Sequence, residues 1–230
     1  MIFNNTTYLF VHDQDILRNM EENHLLLRYF PKYKWVFLGH RSIDNIKEYH
    51  SNIILARDYD DNIEEYPNAV AYTGWYLLYK NNIINDEYVN LFEYDIKVLE
   101  NRNIPREVYD IAYFKQLPIS RGFKELASLS SQFDETVELY DYWMPTTNLS
   151  FRVETFNHYM QWFHDYCFDG IKNDKQVGHI LERFPSYYSM LNRLSPLYIP
   201  NLLKHFQINS HHDGRGATER VAMFNKYNTK

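Results

Sequence analysis

The segment 87-EYVNLFEYDIKVLE-100 places two acidic residues at the end of an apolar run. Glu93 and Asp95 follow that run and are separated by Tyr94. Side chains alternate between the faces of an extended chain, so both carboxylates are expected on one face and Tyr94 on the other. Two unpaired acids side by side repel each other and are costly to bury. A hard divalent cation, Mn²⁺ or Mg²⁺, between them would remove that cost, and the segment therefore predicts a metal site.

Strand-like and helix-like patterns alternate around this segment. The patterns predict strands over 7–12, 34–40, 51–59 and 88–96, and helices over 14–30 and 68–82. Such alternation indicates an α/β fold with a mostly parallel central sheet flanked by helices. Farther along, a short strand is predicted to run into a helix over 148–168, and another helix over 174–191 is predicted to end or bend near Pro185.

Composition narrows the class of protein. The chain has 230 residues, a formal charge of −6 and 45% hydrophobic residues, which argues against disorder and against a nucleic-acid-binding surface. Its single cysteine, Cys167, excludes an internal disulfide framework and fits a reducing compartment. There is no signal peptide pattern and no apolar run of about 20 residues, so a soluble cytoplasmic protein without a transmembrane segment is expected.

Polar residues follow the predicted strands at the edge where α/β sheets bind ligands. The strand ends carry His12-Asp13, Gly39-His40, Arg57-Asp58 and the acidic pair. The sequence has neither of the familiar glycine-rich phosphate-binding motifs, which disfavours a P-loop enzyme and a standard dinucleotide-binding unit.

Three motifs carry a resemblance to a known family: "FEYDI" with the acidic pair, "TTNLSFRVETF" and "GHILERFPSYY". With the order of elements, they resemble GT-A glycosyltransferases, in particular the small enzymes of large DNA viruses and bacterial capsular-polysaccharide transferases. The resemblance implies one domain over 1–230, with 1–100 binding the nucleotide sugar and 101–230 the acceptor. It also implies a metal bound by an Asp-x-Asp-like motif, with Glu93 in the first Asp position and Asp95 in the last. A late histidine often completes such a site, which points to His211 or His212.

The implied activity is transfer of a sugar from a nucleotide diphosphate, expected to be UDP, to a glycan acceptor. An inverting reaction needs a base for the acceptor hydroxyl, and Asp174 and Glu182 are the candidates. A retaining front-side mechanism needs no such base. The candidate donor contacts are His12 to the base or ribose, Asp58 to uracil N3–H, and the aromatic residues Tyr72, Trp75 and Tyr94.

Other interpretations stay open at this point. The acids could be a solvated strand end, the aromatic residues could be core, and Glu182-Arg183 could be a surface helix pair. At the level of function, a catalytically inactive nucleotide- or sugar-binding module is the first alternative. A metal-dependent phosphohydrolase is the second, suggested by "HDQD" near the start and "HHD" near the end.

Overall fold

The structure, a computed structural model, describes residues 5–11, 17, 30–38, 52–63, 69, 71–94, 96–99, 108–121, 137, 140–173 and 181–205. Its strands in these ranges are β1 (Thr7–Val11), β2 (Tyr33–Phe37), β3 (Ile53–Leu55), β4 (Tyr88–Glu93), β5 (Ile96–Val98), β6 (Ile111–Tyr113), β7 (Leu117–Pro118), β8 (Tyr142–Trp143), β9 (Leu149–Arg152), β10 (Leu197–Tyr198) and β11 (Leu203–His205). The α-helices are α1 (Ala71–Lys80), α2 (Val153–Phe163), α3 (Asp169–Ile171) and α4 (Phe184–Leu191), and a π-helical turn, His164–Phe168, joins α2 to α3. Short 3₁₀ turns span Ala56–Asp58 and Ile119–Arg121.

Seven of the described strands form a central sheet in the order β10-β6-β9-β4-β1-β2-β3. Strand β9 runs antiparallel to both of its neighbours, β4 and β6, while every other neighbouring pair is parallel. Two small antiparallel pairs, β5 with β11 and β7 with β8, complete the described strands. The predicted fold class is therefore confirmed: a mixed α/β fold with a mostly parallel central sheet flanked by helices.

Apolar residues cover both faces of this sheet. Along β1, Tyr8 and Phe10 point into a cluster that includes residues of α1, α2 and α4, whereas Leu9 and Val11 point into a second cluster on the opposite face. The continuous apolar run of β1 follows from this two-sided burial. Within α1, the first eight residues, Ala71 to Leu78, are all buried, as expected for a helix enclosed by other elements. No helix in the described ranges is long and apolar enough to cross a bilayer.

The prediction of one strand over 88–96 is wrong at its end. Strand β4 stops at Glu93, and the chain resumes as β5 at Ile96, which pairs with β11 rather than with the central sheet. At the break, the N–H of Tyr94 donates to the carbonyl of Phe10 at 3.2 Å, and the Tyr94 side chain is only 2% exposed. The alternation that placed Glu93 and Asp95 on one face of a single strand therefore does not extend beyond Glu93.

One further boundary differs from the prediction. The third strand was expected over 51–59, but β3 ends at Leu55 and a 3₁₀ turn follows. The expected end or bend of a helix near Pro185 is confirmed: Leu181 is helical, residues 182–183 form a turn, and α4 begins anew with Pro185 in its first turn. Proline is favourable there because its fixed φ suits a helix start and its missing N–H leaves no intrahelical bond unmade.

Candidate active site

The order of the strands reverses at β1. From β1 the chain continues to β2 and β3 on one side, while β4 pairs with β1 on the other. In α/β sheets, ligands bind at the carboxyl ends of the strands at such a point of reversal. Backbone hydrogen bonds fix the chain on both sides of the end of β1: Leu38 N–H donates to the Val11 carbonyl at 2.9 Å, and Tyr94 N–H donates to that of Phe10.

Glu93 is the last residue of β4 and is half-buried at this edge. Along β4 it shares a face with Leu91, which belongs to the core on the helix side of the sheet. Its backbone N–H donates to Oδ1 of Asn148 at 2.8 Å. Asn148 directly precedes β9, the antiparallel neighbour of β4, so the start of one strand is tied to the end of the other.

The side-chain amide of Asn148 has one group without a partner in the described part of the chain. Asn148 is 3% exposed, and its Nδ2 has no acceptor among the residues described. The bond from Glu93 assigns the oxygen of the amide, because only Oδ1 can accept it. A buried N–H without an acceptor costs about 1–3 kcal/mol, so the NH₂ group is a donor for which the described residues supply no acceptor.

A chain of hydrogen bonds holds Asn148 in place. Its N–H donates to Oγ1 of Thr146 at 2.9 Å, and the N–H of Thr146 donates to the carbonyl of Met144 at 2.9 Å. The N–H of Met144 donates in turn to Oγ of Ser186, in the first turn of α4, at 2.8 Å. Helix α4, the loop before β9 and the end of β4 are thereby connected. Sequence reasoning did not select Asn148, although the motif "TTNLSF" contains it.

Of the four predicted metal ligands, the structure describes Glu93. Asp95, His211 and His212 lie outside the described residues. Within the described ranges, no three His, Cys, Asp or Glu side chains come together in a group that could hold a metal ion. A carboxylate at the sheet edge has the oxygen chemistry that Mn²⁺ and Mg²⁺ prefer, so Glu93 fits such an ion as one ligand of several.

The two predicted catalytic acids are placed differently. Asp174 lies outside the described residues. Glu182 is half-buried in the turn before α4. Four residues later, Ser186 of α4 accepts a hydrogen bond from Met144, in the loop that leads to Asn148. The guanidinium of the next residue, Arg183, lies 5.4 Å from the ring centre of Trp143, a distance at which a cation and an aromatic face attract.

The predicted donor contacts fall into two groups. His12 lies outside the described residues, and Asp58 is exposed in the 3₁₀ turn after β3. The aromatic residues Tyr72, Trp75 and Tyr94 are buried, with exposures of 2%, 3% and 2%. Each of these three packs within the core, and their contact with a donor stays a prediction.

A second polar group lies between α1 and the π-helical turn, and sequence reasoning named one of its members, Tyr72, but missed the other, His164. The hydroxyl of Tyr72 lies 3.3 Å from Nδ1 of His164, and the His164 ring packs at 4.6 Å from that of Tyr76. Burial holds the pKa of His164 below its usual value of 6.5. The π-helical turn that presents His164 has no recognisable pattern in the sequence, so the pairing with Tyr72 follows only from the packing of the helices.

Comparison with solved structures supports the fold. The chain is similar to the apo structure of WbbM, a bifunctional glycosyltransferase, with a TM-score of 0.53 and 12% sequence identity; the match covers 88% of this chain and 45% of WbbM. The galactosyltransferase LgtC, in complex with donor and acceptor sugar analogues, matches with a TM-score of 0.46 and 12% identity over 98% of this chain and 96% of its own. This chain thus spans less than half of the WbbM chain, and the likeness to WbbM shows a shared fold. No protein-family model and no curated protein sequence matches the chain.

Proposed function

We propose that this protein is a glycosyltransferase that moves a sugar from a nucleotide diphosphate, UDP in the first instance, to a hydroxyl of a glycan. The observation that carries the proposal is the bonded pair Glu93 and Asn148 at the carboxyl end of β4, beside the point where the strand order reverses, on a fold similar to that of WbbM. The backbone of Glu93 is bonded to the side chain of Asn148, so a residue with a carboxylate and a buried amide group are neighbours at the end of β4. A sugar diphosphate, which carries hydroxyl and phosphate oxygens, offers groups that suit both.

The two halves of the chain have separate tasks in this proposal. Residues 1–100 bind the nucleotide, with His12 and Asp58 at the base and ribose, and residues 101–230 bind the acceptor. The ligands of an Mn²⁺ or Mg²⁺ ion would be Glu93 and Asp95 together with His211 or His212. When bound, the ion would stabilise the negative charge of the departing nucleoside diphosphate.

Asn148 acts on the donor through its amide. With Oδ1 engaged by the N–H of Glu93, the NH₂ group can donate to an oxygen of the donor sugar or its phosphate. Because the hydrogen bonds through Thr146 and Met144 hold the residue, this donor is oriented before the substrate arrives. Fixed donors of this kind stabilise charge that develops during the reaction without reorganising.

Glu182 is the described candidate for the base that accepts the proton of the acceptor hydroxyl. It lies just before α4, whose first turn is bonded to the loop leading to Asn148. Asp174 is the alternative. Only the inverting reaction requires either residue in this role.

Isothermal titration of the whole chain with UDP tests the proposal. Titrations in Mn²⁺, in Mg²⁺ and in EDTA should show binding that depends on the metal, with GDP as the competing nucleotide. Slow, metal-dependent hydrolysis of UDP-galactose or UDP-glucose, with water as acceptor, should accompany that binding. Binding without hydrolysis would identify an inactive nucleotide-binding module, and the absence of binding by UDP and GDP would contradict the proposal.

A further inference from the structure

Three tyrosine rings form a column at the outer end of the central sheet. Tyr198, at the end of β10, stacks on Tyr113 with ring centres 5.1 Å apart and an interplanar angle of 25°. Tyr113, at the end of β6, stacks in turn on Tyr142 of β8 at 5.9 Å and 15°. Tyr113 is 1% exposed, whereas Tyr198 is 40% exposed. The column therefore has a buried centre and an outer ring that faces solvent.

The outer ring stacks on a residue that is fixed in the sheet. Tyr198 pairs with Tyr113 in the parallel ladder of β10 and β6, and the N–H of Ile199 donates to the Tyr113 carbonyl at 2.9 Å. Ile199 itself is buried, and the hydroxyl of Tyr113 donates to Oε1 of Gln116 at 2.9 Å. An exposed aromatic ring on such a support loses little further freedom when a ligand packs on it, which favours binding.

The register of the sheet relates Tyr198 to the candidate active site. Tyr198 pairs with Tyr113, Tyr113 with Leu149, and Leu149 with Leu91, so these four residues form one row across β10, β6, β9 and β4. Three strand spacings of about 4.8 Å separate the ends of the row, and Glu93 lies two residues beyond Leu91, about 7 Å along β4. These spacings put the Cα atoms of Glu93 and Tyr198 about 16 Å apart. The side chains of Glu93 and Leu91 lie on the same face of the sheet as that of Tyr113.

We propose that Tyr198 is a platform for the acceptor: a pyranose ring of the glycan, a few units away from the reacting hydroxyl, stacks on its exposed face. This inference rests on the proposed glycosyltransferase function. One face of a pyranose consists largely of C–H groups and is flat and apolar, and it matches an aromatic ring that has a polar hydroxyl at its rim. With the nucleoside on the β1–β3 side of Glu93, the acceptor has to approach from the side of β6 and β10.

Saturation-transfer NMR on the full chain tests the platform, with lactose, maltose and cellobiose as acceptor probes and UDP as the nucleotide probe. At least one disaccharide should receive saturation through its ring C–H protons, and Tyr198→Ala should weaken its binding about tenfold. Tyr198→Phe keeps the ring and should bind like the parent. Tyr166→Ala removes a tyrosine that is 73% exposed on the π-helical turn and should also bind like the parent.

The outcomes separate this inference from the proposed function. The proposal that Tyr198 binds the acceptor is overturned by any of three results: no disaccharide binds, Tyr198→Ala binds as well as the parent, or Tyr166→Ala loses as much affinity as Tyr198→Ala. Perturbation of the Tyr198 ring signals by UDP alone would also overturn it, since the ring would then hold the nucleobase. If the parent binds a disaccharide but not UDP, and Tyr198→Ala loses the disaccharide, Tyr198 is confirmed as a sugar-binding residue and the proposed transferase function is contradicted. Should Tyr198→Ala fold poorly, Tyr198→Leu keeps an apolar contact with Tyr113 and should lose the sugar as well.

Discussion

The N–H of Glu93 donates to Oδ1 of Asn148 at 2.8 Å, and this bond joins the end of β4 to the residue just before β9. It assigns the orientation of the Asn148 amide, whose NH₂ group, in a residue that is 3% exposed, has no acceptor among the described residues. The bond also links two predicted motifs, "FEYDI" and "TTNLSFRVETF", that lie more than fifty residues apart in the sequence.

Asn148→Asp is the sharpest test of that amide. The change keeps the acceptor for Glu93 and the shape of the side chain, but it replaces the donor by a negative charge. We expect the affinity for UDP-sugar in Mn²⁺ to fall about tenfold to a hundredfold, because a hydrogen bond to a charged group contributes about 1.5–3 kcal/mol. Isothermal titration gives the affinity, and thermal unfolding checks that the fold is intact.

A matched control is Asn90, the second of the two asparagines that are buried among the described residues. Asn90 is 2% exposed in β4, and its Nδ2 already donates to Oγ1 of Thr7 at 3.1 Å. Asn90→Asp should therefore lower the melting temperature, since it loses an internal hydrogen bond and buries a charge. The ligand affinity of the protein that remains folded should be unchanged. Equal loss of affinity in the two variants at equal stability would show that Asn148 has no special part in binding.

The acidic pair gives the second prediction. Asp95→Asn removes one charge at constant shape and should abolish the metal-dependent part of UDP binding while leaving thermal unfolding of the ligand-free protein unchanged. Glu93→Asp restores the commoner Asp-x-Asp motif and should keep activity, with an altered preference between Mn²⁺ and Mg²⁺. If Asp95→Asn binds UDP and Mn²⁺ like the parent in this titration, the metal site does not include Asp95.

The histidines near the end of the chain give the third prediction. His211→Ala and His212→Ala should differ: the variant that removes a metal ligand should weaken UDP binding in Mn²⁺ about tenfold or more, and the other should not. Losses of one ligand or its support typically cost 10–100-fold in metal affinity. In EDTA neither variant should change the weak binding of UDP. Two variants with the affinity of the parent would exclude both residues as ligands.

The central elements were predictable from the sequence because a short-range pattern of apolar residues marks each of them as buried. The apolar runs of β1 and β4, the helix α1, and the passage from β9 into α2 all follow from residue type and period. The burial of Tyr94 on the face opposite to Glu93 follows from the alternation, but the break after Glu93 was not predictable, because β5 pairs with a strand a hundred residues later. Asn148 was missed for the same reason: its partner is set by the register of β9 against β4, which no local pattern contains.

The fourth prediction concerns pH. Burial lowers the pKa of His164 in the folded protein, so the unfolded chain binds this proton more tightly than the folded one. Stability should therefore fall as the pH drops below the unfolded value of about 6.5 toward the lower folded pKa. An NMR titration of the ring should find the pKa of His164 below 6.5. The charged groups that act on it with opposite signs are Asp165 and Asp169 on one side and Lys80 and Lys172 on the other.

Urea unfolding at two pH values separates His164 from the rest of the protein. His164→Gln should lose less stability than the parent between pH 7.5 and pH 5.5, because glutamine takes up no proton. His158→Gln makes the same exchange at an exposed histidine of α2, and an equal effect of the two variants would not single out His164. A His164→Gln variant with an unaltered pH dependence would contradict the assignment.

The last prediction concerns the contact of α1 with β1. A Cβ on Gly74 would overlap the ring of Phe10, a buried residue whose carbonyl accepts the N–H of Tyr94 beside the candidate site. Gly74→Ala should consequently lower the free energy of unfolding by about 1–3 kcal/mol, even though alanine is the better helix former. Gly170→Ala is the matched control: no atom lies within 4 Å of the added Cβ, so it should be neutral or stabilise by up to about 1 kcal/mol. Urea unfolding measures both. If Gly74→Ala is as stable as Gly170→Ala, α1 is not packed this closely against β1, and the position of the helix over the sheet would have to be revised.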